Sequence, residues 1–145
     1  MVVSYRMKHM RIFILLFLIP CISIANDGIE NLGKSDFHGA WHSDWTSFKG
    51  ESHTLIINAD LSTSFIRELE SGEVQSFKSE PSHAELKKDL IILKYGSCRG
   101  VGYKLVLSGW KLEHMKKLYG FMFMYRNGKQ FNGVPVSFII EYESS

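Results

Sequence analysis

Three histidines and an aspartate lie close together early in the chain and are the first candidates for metal binding. His38, His42 and Asp44 occupy alternate positions of one segment, and His53 follows on the next. Imidazole and carboxylate groups are ligands that zinc and copper accept. On an extended strand, however, Cα atoms four residues apart are separated by ~13 Å. We therefore expect histidines that face solvent, and no metal site.

Three glutamates around a turn are the next candidates. Glu68, Glu70 and Glu73 flank Ser71-Gly72. Paired carboxylates can act as general acid and base when a cleft shields them, but a tight turn exposes them to water. The sequence also lacks a glycine-rich phosphate loop and the G-x-S-x-G, H-E-x-x-H and C-x-x-C patterns. We predict a protein that is not an enzyme and needs no cofactor.

Aromatic side chains are the most numerous candidates for binding. The residues expected to supply an apolar interior are Trp41, Trp45, Phe65, Phe77, Tyr103, Phe121, Phe123, Tyr125, Phe138 and Tyr142. Such an interior either fills the core or leaves a pocket for a small apolar ligand. The predicted ligand-binding residues are Trp41, Trp45, Tyr103, Phe121, Phe123 and Phe138.

The segment around Phe121 is apolar on both faces. Met122 and Met124 alternate with Phe121 and Phe123, and successive side chains of a strand point to opposite faces. A strand that is buried on both faces needs a cover, which is either residues 111–117 or a partner surface. We expect residues 111–117 to form a loop or one helical turn.

Period-two alternation predicts that short β-strands carry these residues. Odd positions of 37–45 are mainly apolar and even positions mainly polar, as on a half-buried strand. The pair Asn127-Gly128 favours the positive φ angles of a tight hairpin turn. Further strands are predicted over 54–59, 64–70, 74–78, 84–86, 90–95, 103–110, 119–125 and 134–142.

A chain of short strands must close its sheet or pair two sheets, because open apolar edges aggregate. We predict an all-β fold, an antiparallel meander closed into a small barrel, with a β-sandwich as the alternative. A single domain is predicted over 37–145, after a flexible lead-in over 26–36.

The segment Gly39-Ala40-Trp41 on the first predicted strand resembles the Gly-x-Trp motif of the lipocalins and wider calycin barrels. The hairpins over 118–138 are similar to the closing hairpins of bacterial lipocalin-like domains. The resemblance implies that Trp41 plugs the closed end of a barrel and that Arg126 or Arg67 packs across it. It implies a binding protein and identifies no particular ligand.

The first 25 residues have the features of a secretory signal peptide. A basic opening precedes the apolar run 12–19, and Ser23-Ile24-Ala25 has the small-x-small pattern of a cleavage site. The apolar run is shorter than the ~20 residues that span a bilayer. We predict cleavage after Ala25 and a periplasmic or secreted protein. A retained anchor and lipidation at Cys21 are the alternatives.

Removal of that segment changes the charge and the cysteine content. The whole chain carries a formal net charge of +2, whereas 14 basic and 15 acidic residues remain after residue 25. No basic run suited to a phosphate backbone remains, so we do not expect nucleic acid as a partner. Cys98 is then the single cysteine, which excludes an intrachain disulfide, and we expect it to be buried.

These features predict an exported, non-catalytic binding protein of lipocalin-like type, with a small apolar ligand in the barrel. The alternative is a periplasmic inhibitor or immunity protein that blocks an enzyme such as a cell-wall hydrolase. In that case an exposed loop, 96–102 or 111–117, would contact the enzyme. A hollow aromatic interior favours the first function, and a filled core with a protruding loop favours the second.

Overall fold

The computed structural model describes residues 28–141, apart from the side chains of Cys98 and Glu141. The signal-peptide prediction, the fate of Cys21 and the position of Tyr142 lie outside this part of the chain, as does the burial of the Cys98 side chain. Within it the fold is all-β, as predicted, with ten strands and two short 3-10 segments. None of its helical segments is long and apolar enough to cross a membrane.

The ten strands follow one another along the chain with short connections. They are β1 (Glu30–Asn31), β2 (Gly39–Thr46), β3 (Ser52–Ile57), β4 (Thr63–Glu68), β5 (Val74–Ser79), β6 (Ala84–Lys87), β7 (Leu90–Cys98), β8 (Val101–Leu112), β9 (Met115–Arg126) and β10 (Lys129–Glu141). The 3-10 segments cover Lys34–Phe37 and Pro81–His83.

All the strands belong to one antiparallel sheet in the order β5-β4-β3-β2-β10-β9-β8-β7-β6, and β1 adds to β8. Consecutive strands are neighbours along most of this path, which confirms the predicted meander. The exception is the pairing of β2 with β10, which joins the N-terminal hairpins to the C-terminal ones. The backbone ladder is not closed into a barrel, because the edge strands β5 and β6 are not bonded to each other.

The two edge strands of the sheet, β5 and β6, lie close together because they are consecutive in the chain. β5 ends beside β7, where the Ser79 hydroxyl donates to the Lys94 carbonyl oxygen at 2.7 Å. β6 begins on the same strand, with Ala84 opposite Leu93. Residues 74–87 therefore pair first with β4 and then with β7, and the sheet curls around a single core.

Side chains fill the concave side of this curled sheet. Trp41 is fully buried, and its indole Nε1 donates to the Phe37 carbonyl oxygen at 2.8 Å. The Thr63 and Tyr95 hydroxyls meet across the interior at 2.7 Å, and the Phe77 and Tyr103 rings pack edge to face with centroids 4.8 Å apart. Each buried large apolar side chain contributes about 1.5–3 kcal/mol to the free energy of unfolding.

A β-bulge in β2 changes the predicted alternation of its side chains. Opposite β10, one extra residue is inserted between Ser43 and Trp45, and such an insertion turns the following side chains to the other face. Trp41 therefore points into the core, whereas Trp45 is 52% exposed. The prediction that the two tryptophans share an inner face is wrong for this reason.

The structure corrects the predicted lead-in. Glu30–Asn31 pairs with β8, and Leu32 is buried against Gly109, a position at which any side chain would collide with the Leu32 methyl group. Residues 30–36 are therefore attached to the sheet rather than unstructured, because a glycine in β8 leaves space for a leucine that the sequence pattern did not place.

The segment 111–117 is not a loop or a helical turn. It consists of the ends of β8 and β9 around the two-residue turn Glu113-His114. The Nζ atoms of Lys111 and Lys116 lie 3.1 and 3.5 Å from the Asp36 carboxylate, which attracts both ammonium groups to the lead-in.

The predicted hairpin turn at Asn127-Gly128 is confirmed, with φ angles of 50° and 73°. Arg99-Gly100 forms a similar tight turn between β7 and β8, with φ angles of 49° and 81°. Both connections are short hairpin ends, so the predicted loop 96–102 does not protrude.

A glycine on β9 allows the close approach of β8, and this generates a test of the fold. A side chain at Gly120 would collide with the Val106 carbonyl oxygen. We expect Gly120→Ala to lower the free energy of unfolding by about 1–3 kcal/mol, because the two strands must separate to accommodate the methyl group. Urea denaturation measures the change. Gly96→Ala is the matched control, since nothing lies within 4 Å of the added carbon, and equal losses in the two variants would contradict the register of β8 and β9.

Candidate functional site

The six residues predicted to bind a ligand divide into an inner and an outer set. Buried in the core are Trp41, Tyr103 and Phe138. Partly or largely exposed on the convex side of the sheet are Trp45, Phe121 and Phe123. The interior position predicted for the second set is wrong, so the six residues do not line one cavity.

Methionines rather than phenylalanines occupy the inner face of β9. Met122 is fully buried and Met124 nearly so, whereas Phe121 is 51% exposed. The prediction that this strand is apolar on both faces is confirmed, but 111–117 does not supply a cover. Because both faces are apolar, the sequence could not indicate which one points inward.

The outer face of β9 carries a row of four aromatic side chains, Tyr119, Phe121, Phe123 and Tyr125, which we call the aromatic row. The Phe121 and Phe123 rings stack with centroids 6.1 Å apart and an interplanar angle of 22°. Since a strand rises ~3.3 Å per residue, the row extends over ~20 Å. Tyr119 is also about half exposed, so the row is open to solvent.

The strands beside the aromatic row contribute mostly small side chains. On β10, Pro135 pairs with Phe121 and Ser137 pairs with Tyr119. Ser137 pairs on its other side with Trp45, which extends the aromatic surface across β10 to β2. We call the aromatic row and Trp45 together the outer aromatic face.

Basic residues are concentrated on β9, the strand that carries the aromatic row, and on the next two strands of the sheet, β8 and β7. The strands β7, β8 and β9 contain six lysine or arginine residues and no aspartate or glutamate. Three of the six lie near carboxylates of other segments, namely Lys111 and Lys116 at Asp36 and Lys117 at Asp44. The other three are Lys94, Lys104 and Arg126, and no carboxylate within the described residues forms a salt bridge with them.

The carboxylate of Asp44 neutralises one edge of the face. It lies 2.8 Å from Lys117 Nζ and accepts a short hydrogen bond from the Ser137 hydroxyl. Partial burial acts to raise the pKa of Asp44, but the bonds from Lys117 and Ser137 outweigh it and hold the pKa below its usual value. Lys117 is therefore paired, and the unpaired cations remain at the other end of the row.

A groove of about 340 Å³ lies at that other end, lined by Lys94, Tyr95, Gly102, Tyr103, Lys104 and Tyr125. Gly102 pairs with Tyr125 and leaves open the space that a side chain would fill. Lys94 and Lys104 are direct cross-strand partners, and like charges in that arrangement destabilise a sheet. An anion in the groove would relieve their repulsion.

A buried ionic cluster lies on the inner side of the sheet and centres on Arg67. Its Nη1 donates to the Tyr103 hydroxyl at 2.6 Å, and its Nη2 lies 2.7 Å from a Glu51 carboxylate oxygen. The guanidinium also lies over the rings of Phe48 and Tyr103, 5.2 and 5.4 Å from their centroids. Arg67 thus joins β4 to β8 across the interior.

The cation–π contact that the lipocalin resemblance implied is not formed on Trp41. Arg67 packs on Phe48 and Tyr103, because Phe65 rather than Arg67 lies at the level of Trp41 along β4. Arg126 lies over the Phe131 ring at 5.1 Å.

His53 completes the buried ionic cluster and is not the solvent-facing histidine that we expected. It lies opposite Arg67 and is 1% exposed, with Nε2 3.0 Å from the Glu51 carboxylate and Nδ1 buried without a partner. Burial lowers the pKa of His53; the Glu51 bond opposes this shift, and the Arg67 charge adds to it. The imidazole is therefore neutral at neutral pH.

The remaining histidines and glutamates considered as candidates for metal binding or catalysis do not form one site in the described residues. His42 is exposed as expected, whereas His38 is partly buried. Within residues 28–141, no group of three histidine, cysteine or acidic side chains could hold a metal ion. Glu68 and Glu70 are exposed, and Glu73 pairs with Arg99 at 2.8 Å.

Compared with known proteins, the chain matches no family model, no curated protein and no solved structure. Its function must therefore be inferred from the geometry of its own residues. Lys94 and Lys104 are not among the residues predicted from the sequence, although three consecutive strands without an acidic residue were a visible signal.

The neutral state of His53 predicts a pH-dependent stability. Its pKa in the folded protein lies below the ordinary value of 6.5, so the unfolded chain takes up the proton first as the pH falls. The free energy of unfolding should be greatest above about pH 6.5 and should fall by on the order of 1 kcal/mol by about pH 5. Chemical denaturation at a series of pH values measures this decline.

The variant His53→Gln is the control for that experiment, because an amide can donate to Glu51 without titrating. Its stability should change less over the same pH range. Asp36 and Asp44 have pKa values lowered below 3.8 and titrate at more acidic pH. An equally steep decline in the variant would show that another group is responsible.

Proposed function

We propose that the protein is an exported, non-catalytic binding protein whose working surface is the outer aromatic face. The observation that carries this proposal is the half-exposure of Trp45 on β2 and of Tyr119 and Phe121 on β9, the two strands that flank β10. Since a large aromatic side chain has a surface of about 150–250 Å², the three expose roughly 300 Å². The largest apolar patch of a typical monomer measures about 300–600 Å² and often has a function.

The filled interior supports a surface site over an internal pocket. The Thr63–Tyr95 and Arg67–Tyr103 hydrogen bonds span the space in which a small apolar ligand would lie. Tyr103 is one of the residues predicted to bind such a ligand, and its hydroxyl is already occupied. We therefore assign binding to the convex side of the sheet.

The lipocalin-like description is part of the proposal and concerns architecture. The meander, the curl of the sheet and the burial of Trp41 beside Phe37 support it. The position of Arg67 departs from the pattern that the resemblance implied. We accordingly use the likeness for the fold and draw no ligand from it.

A non-catalytic role is supported by the bonds within the buried ionic cluster, whose charged side chains are paired with one another. Glu51, His53 and Arg67 have the side-chain types of an acid–base site, but Glu51 is bonded to both of the others. Their charges are used to connect strands across the core. The tight turns at 99–100 and 113–114 also give little support to an inhibitor that acts through a protruding loop.

Native mass spectrometry of the protein purified from its own exported fraction tests the proposal. We expect the wild-type protein to retain a bound mass, either a partner or a lipid-sized ligand, because a face of this kind is poorly hydrated when empty. Phe121→Ser should reduce the bound fraction at least about tenfold, as expected for loss of a central aromatic contact.

Val74→Ser is the matched control, because Val74 is an exposed apolar residue on β5, away from the outer aromatic face. It should leave the bound fraction unchanged. If the bound fraction is the same in Phe121→Ser as in Val74→Ser, the working surface is not the outer aromatic face. Circular dichroism of both variants verifies that each remains folded.

A further inference from the structure

We propose that the outer aromatic face docks on an anionic lipid bilayer. In this arrangement Lys94 and Lys104 contact lipid phosphates, and the aromatic row enters the interfacial region. The inference rests on the proposed function and specifies its partner. It is carried by the combination of two unpaired lysines and exposed aromatic side chains on one face of the sheet, with no acidic residue on β7, β8 or β9.

The first argument is charge complementarity. Lys94 and Lys104 lie directly opposite each other beside the groove, on the face of the sheet that carries the aromatic row. A lysine or arginine near an anionic membrane surface contributes about 1 kcal/mol to binding. Binding to anionic lipid therefore turns the unfavourable Lys94–Lys104 contact into a favourable one.

The second argument is the chemical type of the exposed residues. Tryptophan and tyrosine are enriched where proteins meet the interface of a bilayer, since one end of the side chain is apolar and the other polar. Lysine places its hydrocarbon stem on apolar surface while its ammonium group reaches the phosphates. Trp45, Tyr119 and Tyr125 on the outer face have this composition, and Lys104 lies beside Phe123 near the Tyr125 end of the row.

Two other occupants fit the face less well. A second copy of the chain would bring the unpaired cations of both copies together, with no carboxylate on β7, β8 or β9 to neutralise them. Single-stranded nucleic acid stacks its bases on free aromatic ring faces. The Phe121 and Phe123 rings turn their faces toward each other instead.

Co-sedimentation with lipid vesicles tests the inference. The exported protein is mixed with vesicles of phosphatidylcholine, with or without a substantial fraction of phosphatidylglycerol. We expect binding only when phosphatidylglycerol is present, and release at high salt because the surface charges are screened. The tryptophan emission should shift to shorter wavelength on binding, and Trp45→Phe should reduce that shift, because Trp45 is exposed whereas Trp41 is fully buried and Trp110 is partly buried.

The double variant Lys94→Gln with Lys104→Gln should bind these vesicles about thirtyfold more weakly, the effect of removing two surface cations. The control removes the same charge at two exposed turn lysines, Lys49→Gln with Lys88→Gln. It should lose severalfold less affinity. Equal losses would show that only net charge matters and would overturn the assignment to this face.

Further outcomes would also overturn the lipid assignment. These are equal binding to vesicles with and without phosphatidylglycerol, absence of binding to both, and competition by polyglutamate or a single-stranded oligonucleotide at the affinity seen with vesicles. If native mass spectrometry shows a partner that Phe121→Ser releases while vesicles do not bind, the lipid inference fails and the proposed function stands. If Phe121→Ser has no effect in either experiment, both fail.

Discussion

Hydrogen bonds across the interior hold the curled sheet in shape. The backbone ladder is open between β5 and β6, so backbone pairing alone does not fix the distance between β4 and the strands opposite it. Arg67 reaches Tyr103 on β8 at 2.6 Å, and Thr63 reaches Tyr95 on β7 at 2.7 Å. Burial raises the pKa of Tyr95, so its hydroxyl stays neutral in the interior. A buried arginine is costly unless its charge is paired, and Glu51 supplies the opposite charge.

These internal bonds also explain why we propose a binding surface on the convex side of the sheet. Because side chains fill the concave side of the sheet, several aromatic residues that are not part of the core lie on the convex side. On β9 the inner face is well packed and holds Met122 and Met124, and the aromatic side chains occupy the outer face of the same strand. The groove between Lys94 and Lys104 adds a polar end to an otherwise apolar surface. A face that is aromatic along its length and cationic at one end has the amphipathic character of an interfacial lipid-binding surface.

Local sequence signals predicted much of this fold. Alternation identified most strands, and Asn127-Gly128 located a hairpin turn because few residue pairs accept two positive φ angles. The candidate site was predicted less well, for three physical reasons. The bulge before Trp45 depends on pairing with β10, about ninety residues away in sequence. The phase of β9 is hidden when both faces are apolar. His53 alternates in phase with the buried Leu55 and Ile57, but the alternation does not reveal the bonds to Glu51 that allow a histidine to be buried there.

The pairing of β2 with β10 has a consequence for the order in which the protein folds. Every other ladder between the long strands joins elements that are close in sequence and can form early, whereas this one must wait for the last strand of the chain. Such long-range pairing is slow because the entropy of closing a long loop is lost before any contact compensates it. Trp45 lies on one side of this late junction and Tyr119 on the other, with Ser137 between them. The complete outer aromatic face therefore exists only after folding has finished, and a partly folded chain presents only fragments of it.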